Sequence, residues 1–355
     1  MKVVFCWTNV SGYMASCWRA LSADKDIDLF VLAQNQATHS AFSDALLDDI
    51  PHRYLSSSEA ENATVLKDCV LEEKPDVVVL SGWSSQARRK LVYARELSGC
   101  KFIMAMDTPF LHKPKQYLAP FLLRRYLSRI SAVVVPGERA WRYAKILGFA
   151  EKQIFRGLYS VDVQSFHVSF ERRRQLPWPK RFLFVGRYSE VKGLDILAKA
   201  YPRYRASVQE PWGLTCCGCG PLDAQLGGTG ISNLGFVPPE AQPKLFEEHG
   251  VFVLPSRFDP WPLVIVEACA AGLPVLCTNA CGSAVENVRH LDNGIVIATE
   301  SEDALVEGLL WYHNNYEGLP TMGERSTYFA SAYSPEKWTL RWKEAFKKCL
   351  GSSIK

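Results

Sequence analysis

A chain of 355 residues, 48% hydrophobic and 22% charged, has the make-up of an ordinary globular protein. At roughly 100–200 residues per domain it is long enough for two domains. Its formal net charge of only +4 speaks against a nucleic-acid binder, which carries a basic domain or stripe. The 11 cysteines are odd in number and scattered, several in apolar runs. That is the pattern of reduced, buried thiols rather than of a disulfide framework. Cys216, Cys217, Cys219, Cys277 and Cys281 lack the paired spacing of a structural zinc site.

The first residues, MKVVFC, read as a buried strand and not as a secretory signal, and no apolar run approaches the ~20 residues of a spanning helix. The expected location is cytoplasmic. A loop through Gly12 and a helix to Leu21 follow, then a strand at 28–33. A helix is expected over 59–73 and a valine-rich strand after Pro75-Asp76. A further helix is expected over 86–97, a strand over 101–107, a longer helical region over 115–130 and a strand over 132–137. The helix after it is ended by Gly148. Continuous apolar strands alternating with helices predict a parallel sheet covered on both faces, a Rossmann-like half. A break is expected over 157–180, where the run Glu171-Arg172-Arg173-Arg174 interrupts the rhythm. The rhythm restarts at RFLFVG and continues through LTCCG, VFVLP and PVLCT. The last segment, 334–349, predicts an amphipathic helix with Ser334 as its cap and Pro335 at its first position.

The second half carries the chemistry. Gly186-Arg187 ends a strand, and Lys192-Gly193 precedes a helix. Two cations at a sheet's carboxyl edge suit a diphosphate leaving group. A surface loop with two solvated cations is the other reading of this segment alone. Gly218 and Gly220 close the next strand, where glycine lets backbone approach a ligand or simply turns. The densest block is PSRFDPWPLVIVEACAAGLPV, 255–275. It predicts a helix starting near Trp261, Pro262 and Leu263 and ended by Gly272. The start of that helix offers free N–H groups to a phosphate. Glu267, in an otherwise apolar helix, needs hydrogen-bond donors, and two ribose hydroxyls would serve. Glu286 reads as structural.

Six blocks in order, VGRYSEVKG, GCGP, LGFVPPE, PSRFDPWPLVIVEACAAGLPV, GSAVE and NG, resemble the donor half of the retaining GT-B glycosyltransferases of family 4. The resemblance is strong over about 182–298 and weaker over the first 157 residues. It implies an α/β protein of two Rossmann-like domains facing a cleft. Residues 1–157 would form the acceptor domain and 158–333 the nucleotide-sugar donor domain, with a C-terminal helix, 334–355, packing back on the first. It implies that Arg187 and Lys192 bind the donor diphosphate and that Gly186, Gly218, Gly220, Trp261, Pro262 and Leu263 also belong to the donor-binding site. Glu267 would hold the ribose hydroxyls, Asp259 would face the transferred sugar, and Phe236-Val237 would lie beside the base. Gly12 would sit near the phosphates. The implied activity is transfer of a sugar from a UDP- or GDP-linked donor to a hydroxyl of a glycan or lipid-linked acceptor, in cell-surface polysaccharide synthesis. Transfer would retain configuration and use neither metal nor other cofactor.

The chain departs from the family pattern at three places. Asp259 stands for a glutamate, Pro262 for a glycine, and Asp107 for a histidine, with His112 nearby but off register. Asp107 either orients a hydroxyl or caps the following turn, and both readings are open. Asp24-Lys25-Asp26 and Asp26-Ile27-Asp28 precede a strand rather than follow one, and so read as a solvated loop rather than a metal motif. Residues 113–130 place Leu122, Leu123, Tyr126, Leu127 and Ile130 on one helical side and Arg124, Arg125 and Arg129 on the other. Leu123, Leu127 and Ile130 are expected to pack on the sheet. The basic side makes an anionic membrane surface an expected partner. The rival readings are a nucleotide-sugar epimerase of the same fold and a non-catalytic scaffold.

Overall fold

The computed structural model describes residues 1–34 and 45–351 and divides into two compact units. The first comprises Met1–Ser160 and Pro335–Lys355, the second Val161–Ser334.

In the first unit seven strands form one parallel sheet. They are β1 (Lys2–Trp7), β2 (Asp28–Gln34), β3 (His52–Leu55), β4 (Val77–Ser81), β5 (Lys101–Ala105), β6 (Ile130–Val135) and β7 (Ile154–Arg156). Their order is β3-β2-β1-β4-β5-β6-β7, so the chain reverses its winding between β1 and β4. At such a switch point the loops leaving the two strands diverge and open a crevice at the sheet's carboxyl edge. The strands are apolar throughout because both faces are covered, and each face packs its own core cluster.

The helix Pro335–Leu350 belongs to the first unit. Its buried Trp338, Trp342, Ala345 and Phe346 join Val3, Phe5 and Trp18 in one core. The Trp338 indole N–H donates to the Leu158 carbonyl at 2.8 Å. Lys343 Nζ reaches Asp24 at 2.7 Å and Asp26 at 2.9 Å. The Asp24–Asp26 loop is therefore not merely solvated, because it fastens this helix.

The second unit repeats the winding with β8 (Arg181–Val185), β9 (Gly213–Cys217), β10 (Ile231–Asn233), β11 (Val251–Leu254), β12 (Val275–Thr278) and β13 (Gly294–Ile297), in the order β10-β9-β8-β11-β12-β13. Its switch point lies between β8 and β11.

Several local expectations change. The helix expected over 59–73 is two helices, Ser57–Glu61 and Ala63–Glu72, because Asn62 leaves helical geometry and caps the second with its side chain. The helix expected over 86–97 stops at Leu91. The region 115–130 is split into Pro114–Leu122 and Arg124–Leu127, and Ile130 already belongs to β6.

The charged run 171–174 is not a break. It ends the helix Val163–Arg173, and Arg173 is almost fully buried. Its guanidinium donates to the carbonyls of Phe246 at 3.0 Å and Gly272 at 2.7 Å, and also to that of Ala271. It lies over the Trp178 ring, 4.5 Å from its centroid. Ala271 and Gly272 follow the last residue of the helix Leu263–Ala270, where a cation also suits the negative end of the helix dipole. Arg173→Met would leave those carbonyls buried without a donor. The expected loss is about 3 kcal/mol, read as a lower urea midpoint with an unchanged slope.

Candidate functional site

The candidate site of the second unit grows from the loops leaving β8 and β11. After β8, Gly186 and the exposed Arg187 lead to the buried Tyr188 and a tight turn at Glu190–Lys192. Gly193 then enters left-handed backbone at φ +71°, and a Cβ there would overlap the Pro255 carbonyl. Only glycine lets the two loops approach so closely. Gly218 and Gly220 have the same kind of reason. A side chain on Gly218 would overlap the Gly186 carbonyl, and one on Gly220 the Tyr188 carbonyl. The Gly218 N–H donates to Gly235 at 2.8 Å, which draws Phe236 and Val237 to the end of β9. Phe236 is 59% exposed there.

Lys192 Nζ is ion-paired with the Asp259 carboxylate. Asp259 is buried. Burial raises its pKa above the usual aspartate value, and the lysine's charge offsets only part of that rise. The Asp259 carbonyl accepts from the Gly282 N–H at 2.9 Å. Sequence reasoning missed the pair that holds this arrangement. Arg257 donates to both oxygens of Asp195, at 2.6 and 2.8 Å, to Glu300 at 3.1 Å and to the Glu190 carbonyl at 2.5 Å. It thus clamps the β11 loop to the turn that presents Lys192. The signal was an arginine inside the PSRFD block, but its partner lies 62 residues away.

The helix Leu263–Ala270 starts behind Asp259 with Pro262 as its N-cap rather than in its first turn. The Pro262 carbonyl accepts from Ser283 Oγ at 2.8 Å. Trp261 is buried, and its indole N–H has no acceptor among the described residues. Glu267 lies in the second turn and is half-buried. Its carboxylate makes no hydrogen bond or ion pair among the described residues, and burial raises its pKa to about 7. Arg187, Lys192, Asp259, Pro262, Leu263 and Glu267 thus come from the β8 loop, the β11 loop and the one helix that follows it.

Gly12 and Asp107 belong to the first unit. Gly12 opens the helix Gly12–Ser22, next to Tyr13. Asp107 follows β5 and accepts a hydrogen bond from the Tyr159 hydroxyl at 3.0 Å. Burial and the Asp107 charge raise the Tyr159 pKa well above 10, so the phenol stays a donor. Both residues line a cavity of about 500 Å³ with Trp7, Asn9, Tyr13 and Trp83. It sits at the switch point between β1 and β4. Its aromatic walls and single carboxylate suit a sugar, which offers C–H faces and hydroxyl edges. His112, in left-handed backbone, hydrogen-bonds Tyr117 and does not line this cavity. Among the described residues no group of three or more His, Cys, Asp or Glu gathers as a metal site, and the 11 cysteines are free.

These features define an α/β protein of two parallel doubly wound sheets, with cationic and acidic groups at the carboxyl edge of the second. Residues 169–327 match the model of the glycosyl transferases group 1 family. An uncharacterized glycosyltransferase of Haemophilus influenzae is 28% identical over 170 residues, covering 46% of this chain and 48% of that protein. The putative teichuronic acid biosynthesis glycosyltransferase TuaC of Bacillus subtilis is 29% identical over 154 residues, 43% of this chain and 38% of that protein. The chain thus spans about half the length of these curated relatives, or less. HepE of Anabaena, crystallised with UDP, is 18% identical and superposes with a TM-score of 0.76 over 98% of this chain and 100% of its own. The fold is that of the GT-B glycosyltransferases.

The raised pKa of Glu267 gives a stability test. A carboxyl that titrates higher when folded binds its proton more tightly in the folded state. Its contribution is therefore full below pH 4.5, the usual glutamate value, and is lost as pH rises through about 7. Glu267→Gln removes that loss. It is expected to make the unliganded protein more stable at pH 8 by about 2 kcal/mol and to leave it little changed at pH 4.5, measured by urea unfolding at both values.

Proposed function

We propose that this chain is a glycosyltransferase that takes a UDP- or GDP-linked sugar as donor in its second unit and a glycan or lipid-linked hydroxyl as acceptor in its first. The observation that carries the reading is the set at the β8–β11 switch point. Arg187 and Lys192 lie on the β8 loop, Lys192 is paired with Asp259 of the β11 loop, and an unpartnered carboxylate, Glu267, lies on the helix that follows that loop. Arg187 and Lys192 match a diphosphate, while Glu267 matches a pair of ribose hydroxyls. UDP in the HepE crystal, and UDP-glucose in another crystal of it, support a nucleotide-sugar as the ligand.

Transfer proceeds with retention and without a metal. The acceptor oxygen attacks the anomeric carbon from the face of the leaving group. The bond from that carbon to the diphosphate oxygen breaks, and a phosphate oxygen takes the acceptor proton. Lys192 and Arg187 stabilise the charge that grows on the diphosphate. In the free protein Lys192 is held by Asp259, so the donor shares or displaces that pair as it binds. Asp259 borders the transferred sugar, with Trp261, Pro262 and Leu263 among the donor-binding residues, and Phe236 and Val237 border the base. Asp107, with Tyr159 as its donor, holds an acceptor hydroxyl. The setting is cell-surface polysaccharide assembly, with the enzyme peripheral on the cytoplasmic face of the membrane.

A panel of nucleotides and nucleotide-sugars tests the reading by thermal shift and by nucleotide release. One of UDP or GDP should raise the Tm, and its sugar conjugate should be turned over. Lys192→Ala should lower kcat by roughly 10²–10³-fold while leaving the fold intact by circular dichroism. Absence of a shift with every nucleotide would sink the proposal. Sugar turnover without an acceptor to yield an isomer would assign the chain to epimerases instead.

A further inference from the structure

The segment between Asp107 and Glu138 contains five lysines and arginines, Lys113, Lys115, Arg124, Arg125 and Arg129, and no aspartate or glutamate. All five cations are exposed. Between them the helix Pro114–Leu122 presents large apolar side chains to solvent. Tyr117 is 50% exposed, Leu118 56%, Phe121 78% and Leu122 79%. This is not the apolar side expected to pack on the sheet. Tyr126, Leu127 and Ile130 are buried, and Leu118, Phe121 and Leu122 are left over.

The helix is held firmly from beneath. The Gln116 side-chain amide donates to the Pro109 carbonyl at 2.8 Å, and its oxygen accepts from the Leu111 N–H at 2.7 Å. Exposed leucine and phenylalanine on an anchored helix cost free energy in water. Beside Arg124 a hollow of about 270 Å³ opens, walled in part by Pro120, Leu127 and Phe149.

We propose that this surface docks on an anionic lipid bilayer. Leu118, Phe121 and Leu122 enter the interface, and the five cations meet lipid phosphates around them. Charge selects the occupant. A second copy offering the same face would set cations against cations, whereas a bilayer offers apolar depth beneath an anionic surface. The inference rests on the reading of a lipid-linked acceptor and gives it a structural route. The Tyr126 hydroxyl, on the same segment, donates to the Gly82 carbonyl at 3.2 Å, and Gly82 lines the cavity that holds Asp107.

The test is flotation of the full-length protein with phosphatidylcholine vesicles, with and without phosphatidylglycerol. The protein should float with the anionic vesicles, and less so at high salt. Phe121→Ser/Leu122→Ser should lower the bound fraction about tenfold. Arg124→Glu/Arg125→Glu should abolish the preference for phosphatidylglycerol. Both double variants should keep the nucleotide-induced rise in Tm. No flotation with anionic vesicles would overturn the proposal. So would equal flotation of wild type and Phe121→Ser/Leu122→Ser, or a dimer in sedimentation that this double variant dissolves. A nucleotide-induced Tm rise alongside failed flotation would leave the donor reading standing and reject only the membrane surface.

Discussion

The ion pair between Lys192 and Asp259 organises the second unit's carboxyl edge. A buried carboxylate is costly, and Asp259 is tolerable there because Lys192 faces it and the surrounding backbone is fixed. Fixing that backbone occupies much of the neighbouring sequence. Gly193 and Gly218 let loops pass within van der Waals range of carbonyls, Gly282 donates to Asp259, and Arg257 ties the β11 loop to Asp195. Glycine at these positions is demanded by space and by φ rather than by a ligand. A glycine-rich pattern at a sheet edge can thus be a mark of loop-on-loop packing as much as of phosphate binding.

Glu267 shows the opposite economy. It lies on a helix whose neighbours Ile265, Val266, Ala268 and Cys269 are fully buried, and nothing among the described residues meets its carboxylate. A group left in that state raises its pKa and weakens the protein at neutral pH. A fold keeps such a residue where a ligand supplies the missing donors, and stability and function then pull in opposite directions. The contrast with Arg173 is informative. That cation is more deeply buried, but three carbonyls satisfy it, so it reads as structure.

The sheets were legible in the sequence because parallel strands covered on both faces are continuous apolar runs, and VVVL, FLFV and VFVL leave little choice. The residues that gather at the second sheet's carboxyl edge were legible because they cluster in short blocks beside those strands. What was hidden depended on partners far along the chain. Nothing within 171–174 says that Arg173 turns inward, since its acceptors lie roughly 70 to 100 residues later. Arg257 and Asp195 are 62 positions apart, and Lys343 finds Asp24 across 319. Helical periodicity over 113–130 assumed one continuous helix. The break at Leu123 rotates the two parts relative to each other, so residues that share a face on paper do not share one in the fold.

The first unit bears on what the departures from the family pattern mean. A histidine beside a reacting sugar can donate or accept near neutral pH, whereas Asp107 as a carboxylate only accepts. The Tyr159 hydroxyl satisfies one of its oxygens and remains protonated. The pair therefore presents a fixed acceptor, suited to hold a hydroxyl and not to protonate one. In the proposed reaction, proton transfer is left to the substrate's own phosphate. An aspartate in the first unit is thus compatible with the chemistry proposed for the second.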